Sequence, residues 1–156
     1  MRSFIALWLA IALSACGAPA PSEHDADRIA GALIVEDAWA APTPSGVDVS
    51  AGYLIIHNAT AAADRLLSVT SPRAERVEIH EMTMDGAVMR MRPVESLEIA
   101  SGTEVALSPG GMHLMFYGVA QPFAAGEDIP VQLTFETAGA VNIVIPVRRS
   151  APPTSH

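Results

Sequence analysis

The sequence predicts an all-β fold, a single antiparallel β-sandwich or barrel. Three observations carry this. Short apolar or alternating runs follow one another along the chain, turn residues punctuate them at even spacing, and no convincing 3.6-residue apolar stripe interrupts them. The predicted strands begin with Leu33–Trp39, closed by Pro42-Thr-Pro-Ser-Gly46, and continue with Ala51–Asn58 and Arg65–Thr70, the last closed by Ser71-Pro72. Ala74–Met84 and Val88–Val94 flank Asp85-Gly86, and Ser101-Gly102 precedes Glu104–Ser108. Pro109-Gly110-Gly111 leads into Met112–Tyr117, Ala125-Gly126 into Ile129–Glu136, and Ala138-Gly139 into Val141–Val147. Strands at this spacing suit a sandwich or barrel.

Composition narrows the function. The 156 residues carry nine basic residues, all Arg, against seventeen acidic ones, for a formal net charge of −8. So acidic a chain, whose longest basic run is Arg148-Arg149, is a poor partner for nucleic acid or an anionic membrane surface. Its single cysteine, Cys16, excludes an intramolecular disulfide, a CxxC redox pair and any multi-cysteine zinc or iron–sulfur site. Met1-Arg2 followed by the apolar stretch Phe4–Leu13 reads as a signal sequence, because ten residues fall short of the roughly 20 that span a bilayer as a helix. Leu13-Ser14-Ala15-Cys16 resembles the bacterial lipobox, which implies a leader over residues 1–15 and a lipidated Cys16. Acyl chains would then be the only membrane contact. Gly17 in place of Asp favours the outer membrane over inner-membrane retention, as in other lipoproteins. Residues 16–31 read as a flexible tether carrying a solvated His24, residues 32–148 as the folded domain, and residues 149–156 as a disordered tail.

The chemistry concentrates in one window. Apart from Met1, every methionine lies between positions 82 and 115: Met82, Met84, Met89, Met91, Met112 and Met115. His80 and His113 bound or sit inside that window, whereas His57 has no methionine partner and reads as structural. Asp85-Gly86 between two strand-like runs is a strong signal for a two-residue hairpin turn of type I′. With that turn Met84 faces Ala87, Met82 faces Met89, His80 faces Met91, and Glu81 opposes Arg90 on the other face. His80, Met82, Met89 and Met91 then project from one side, since strand residues two apart share a face. His113 and Met115 form a second same-face pair on a later strand. Brought together, these elements offer two imidazoles and two thioethers, a soft, uncharged set that selects Cu(I) and is not built for zinc, calcium or magnesium. Met82, Met89 and Met112 are expected to form a secondary sulfur ring that eases entry and handover. Imidazole must be neutral to bind a metal, so affinity is expected to fall as pH drops through about 6.5.

These residues resemble the PCuAC family of periplasmic Cu(I)-binding chaperones, whose signature is a His, ten residues, a Met, twenty-one residues and His-x-Met. His80, Met91, His113 and Met115 stand at those spacings. Asp37-Ala38-Trp39-Ala40, Tyr53–Asn58, Asp64-Arg65-Leu66 and Pro109–Met115 are similar too, so the resemblance runs from about Ile34 to Val147. Ala41 replaces an Arg common in the family, the lipobox departs from its many soluble members, and the His- and Met-rich C-terminal extension of some relatives is missing. The resemblance implies a cupredoxin-like β-sandwich, with Cu(I) carried by His80, Met91, His113 and Met115. The implied recipient is the dinuclear copper site of cytochrome c oxidase, with a Sco-type thiol protein cooperating by analogy. An envelope copper buffer or resistance protein is the nearest alternative, and a metal-free β-sandwich docking module the next. A blue-copper electron carrier fails for want of a second cysteine, and no enzyme fingerprint is present.

Overall fold

A computed structural model describes residues 28–29 and 33–149. The expected leader, Cys16, His24 and the last seven residues of the chain lie outside the described residues.

Among the described residues eleven strands follow in chain order: β1 (Arg28–Ile29), β2 (Leu33–Ala40), β3 (Val49–Asn58), β4 (Asp64–Thr70), β5 (Arg76–Asp85), β6 (Val88–Val94), β7 (Leu97–Ile99), β8 (Glu104–Leu107), β9 (His113–Tyr117), β10 (Asp128–Phe135) and β11 (Gly139–Pro146). All nine strands read from the sequence are among them, and β6 matches its expected bounds residue for residue. The two additions are short. β1 takes Arg28–Ile29 out of the expected tether by pairing with Leu33 and Ile34, and β7 pairs with the start of β4. Two- and three-residue strands leave too little alternation to be read; only their partners define them.

The strands join in one antiparallel sheet of order β1-β2-β3-β9-β5-β4-β10-β11, with β6 on β5, β7 on β4 and β8 on β3. Its two ends nearly meet. Ala40 and Val147 form a parallel bridge, and the Arg148 amide donates to the Ala40 carbonyl at 2.9 Å, giving a nearly closed barrel. One face of each long strand fills the interior: Leu54 and Ile56 of β3, Leu114 and Phe116 of β9, Leu133 and Phe135 of β10, and Ile143 and Ile145 of β11 are buried. The strict alternation of β3, partly buried then buried along its ten residues, is the period-2 signature of a sheet with one face on the core.

A bulge shapes the outer face. β2 and β3 pair Glu36 with Ile55 but Trp39 with Tyr53, so Asp37 and Ala38 together oppose Leu54. Asp37 takes the left-handed conformation (φ 50°) that the extra residue requires. The insertion changes the parity of β2 and sets Trp39 opposite Tyr53.

The β5–β6 hairpin corrects the expected register. Asp85 pairs with Val88, Met84 with Met89, Met82 with Met91, Glu81 with Arg92 and His80 with Pro93. The turn is therefore Gly86-Ala87, not Asp85-Gly86, and His80 does not face Met91. Gly86 supplies positive φ (63°) while Ala87 does not, as in a type II′ turn, which needs glycine only at its first central position. Moving the turn by one residue moves each partner by two. That preserves which face every side chain occupies, so the methionines remain on the face of His80.

Candidate metal centre

β5 lies between β9 and β6 at the level of His80. On one flank His80 pairs with His113 and Glu78 with Met115; on the other His80 pairs with Pro93 and Met82 with Met91. The outer face thus carries His80 and His113 directly opposed, with ring centroids 6.0 Å apart. Met115 is the next same-face residue on β9. Met91 is the diagonal neighbour of His80 across β6, at a Cα separation of about 7–8 Å that a long side chain bridges. The four residues of the expected site therefore converge on one face from three adjacent strands. Met82 sits between Met91 and His80, and Met89 lies further out, opposite Met84. Met112 is not brought there: it packs, partly buried, against the hydrophobic core. His57 instead lies between Glu36 and Glu104, its ring nitrogens 3.3 and 3.4 Å from their carboxylates.

Both imidazoles are nearly sealed from solvent, His80 at 6% and His113 at 3% exposure. Trp39 stacks on Tyr53 with centroids 4.6 Å apart, and Tyr53 lies 6.5 Å from His113. Together they wall the flank on the β2 side. Tyr117 closes the other side of His80, 6.0 Å from its ring.

The hydrogen bonds decide which nitrogen of each ring is available. His80 Nε2 lies 2.8 Å from a carboxylate oxygen of Glu78 and 3.4 Å from the Tyr117 hydroxyl. The hydrogen bond to His80 holds the Glu78 carboxyl below the usual carboxylate range. Partial burial opposes that shift, and the Arg76 guanidinium, 2.9 Å away, reinforces it. An ionised carboxylate only accepts, so Nε2 carries the proton, and in the neutral ring Nδ1 keeps the lone pair. That Nδ1 is buried and has no hydrogen-bond partner. A buried unpaired nitrogen costs about 1–3 kcal/mol, and a metal ion would satisfy it. His113 follows the same logic with its atoms exchanged: Nδ1 donates to the Gly111 carbonyl at 3.1 Å, leaving Nε2 as the lone-pair nitrogen. A metal-ligating histidine normally has its other nitrogen anchored to a carboxylate or carbonyl in this way.

Among the described residues no group of three or more His, Cys, Asp and Glu side chains is placed to hold a metal. The ligands available beside the two imidazoles are thioethers. Glu78 and Tyr117 are missing from the expected site. A weak signal for Glu78 is present in the sequence, because residues two apart on a strand share a face, but a carboxylate beside Arg76 reads first as a surface ion pair.

Residues 33–147 match the family described as "Putative lipoprotein LpqE-like". A protein of Leifsonia xyli subsp. xyli named "Putative lipoprotein Lxx21020" is 26% identical over 150 residues, 95% of this chain and 89% of that protein. Among solved structures, the "Copper-bound PCuAC domain from PmoF2" superposes with a TM-score of 0.66 at 23% identity, covering 77% of this chain and 95% of that one. The solution structure of CuI-DR1885 from Deinococcus radiodurans superposes with a TM-score of 0.58 at 22% identity, covering 83% and 86%. The chain belongs to the LpqE-like family and has the cupredoxin-like β fold of PCuAC domains.

Proposed function

We propose that the protein is a lipid-anchored copper chaperone of the bacterial envelope. It binds Cu(I) through His80, Met91, His113 and Met115 and passes the ion to a copper enzyme. The observation that carries this reading is the lone-pair Nδ1 of His80, buried without a partner and directly across the ladder from His113. The solved domains of like fold include one named as copper-bound and one as a Cu(I) form, which supports the choice of metal. Two neutral imidazoles and two thioethers add no charge, so the ion keeps its own, and thioethers select Cu(I) among biological metals. Weak soft ligands also suit a carrier, because a thiolate acceptor can displace thioethers one at a time. The proposed acceptor is the dinuclear copper site of cytochrome c oxidase, reached with a Sco-type thiol protein. Anchoring through Cys16, in the periplasm at the outer membrane, belongs to the same proposal and is supported by the lipoprotein family match.

The test is an anaerobic Cu(I) titration against a colorimetric chelator, run beside His113→Ala and Met91→Ala. One tight equivalent is expected, weakened in each variant by at least the roughly 10–100-fold that loss of an outer partner alone costs at a metal site. Affinity unchanged in His113→Ala would overturn the assignment.

A further inference from the structure

β9 begins at His113, so the β5–β6 hairpin runs past the end of its neighbour and both its faces meet solvent from Met82 to Met91. The two faces differ in kind. One is charged and pinned by ion pairs: Arg92 donates to Glu81 at 2.9 and 2.6 Å, and Arg90 to Asp85 at 2.9 Å. The other carries four thioethers as two directly opposed pairs, Met82 with Met91 and Met84 with Met89. Met84 and Met89 are 65% and 61% exposed. They are therefore not core filler, the ordinary use of methionine, and apolar packing does not explain them.

We propose that Met84 and Met89 form a second Cu(I) site at the hairpin tip, separate from the imidazole site. Directly opposed Cβ atoms on a ladder lie about 4.5–5.5 Å apart, so two flexible thioether arms can close on one soft ion between them. The shifted hairpin register creates this pair, since a turn at Asp85-Gly86 would set Met84 against Ala87. The next pair inward, Met82 with Met91, lies one same-face step away and adjoins His80. The ion picked up at the tip then reaches the imidazoles by exchanging one thioether at a time along the ladder. That last step rests on the imidazole site proposed above; the tip site itself does not.

The experiment is an anaerobic Cu(I) titration of the protein carrying ¹³C-methyl methionine, followed by NMR, for the wild type and Met84→Leu/Met89→Leu. The first equivalent is expected to move the Met91 and Met115 methyls with the His80 and His113 ring signals, and the second to move Met84 and Met89. In the double variant the stoichiometry falls from two to one, with the first equivalent bound within twofold of wild type. Leucine keeps the side-chain size at these exposed positions, and undisturbed His80 and His113 signals report an intact fold. Met84 and Met89 methyls that stay still under excess Cu(I) would overturn the tip site, as would a second equivalent that survives in the double variant. Movement at Met84 and Met89 with none at the histidines would support the tip site and overturn the imidazole site instead.

Discussion

Glu78 is the residue on which the chemistry of His80 turns. By accepting from Nε2 at 2.8 Å it commits the neutral ring to one tautomer and leaves the lone pair on the unpartnered Nδ1. Glu78→Gln removes that commitment, because a carboxamide can donate to Nε2 as well as accept from it. Cu(I) affinity is expected to fall roughly 10–100-fold. The ¹⁵N shifts of His80 should move from a single tautomer toward a mixture, a change that a merely structural role for Glu78 would not produce. The shared face of His80 and Met91, and that of His113 and Met115, was legible in the sequence because strand parity is written in the residue spacing. The orienting carboxylate was not, because a Glu two residues before a His differs from any other surface Glu only once the strand is formed.

At the scale of the element, the hairpin shows where reading stops. Asp-Gly predicts type I′, and the strands adopt the Gly-Ala alternative one residue on. A glycine in the right neighbourhood does not say which of its two turns the flanking pairs prefer. Parity protects the site from that ambiguity, since both turns keep His80, Met82 and Met91 on one face, whereas the pairing of Met84 with Met89 depends on the turn chosen. β3 and β9 show the opposite case, in which sequence dictates packing closely. Gly52 lies opposite Leu114, and a Cβ there would come 2.7 Å from the ring of Phe116, which is fully buried and edge-on to Phe123 at 5.4 Å. Gly52→Ala should destabilise the fold by about 1–3 kcal/mol, read as a lower denaturant midpoint with an unchanged slope.

Over the whole molecule, the class of fold was legible because nine alternating runs and their breakers agree. The closure of the sheet was not, because it rests on single contacts between distant segments. Asp64 makes long-range contacts of another kind, beside the β4–β10 pairing. It is buried, and its carboxylate accepts from the amides of Arg65, Thr137 and Ala138 at 2.7–3.0 Å, tying the start of β4 to the β10–β11 turn. Burial pushes its pKa up, but the three amide donors outweigh that and hold it below the ordinary value. A carboxyl depressed in the folded state stabilises the fold above its unfolded pKa, near 4, and that contribution is lost as pH falls through the folded value. Asp64→Asn is expected to cost about 1–3 kcal/mol at neutral pH, because its amide nitrogen meets an N–H where an oxygen accepted before. In thermal melts the loss of stability below about pH 4 should become shallower than in wild type. The bulge at Asp37 reaches further than packing. By turning Trp39 onto Tyr53, whose ring lies 6.5 Å from that of His113, it sets an indole one aromatic ring away from His113. Loading and release of a metal ion would then be written into the protein's own fluorescence, visible without a label while a recipient draws the ion away.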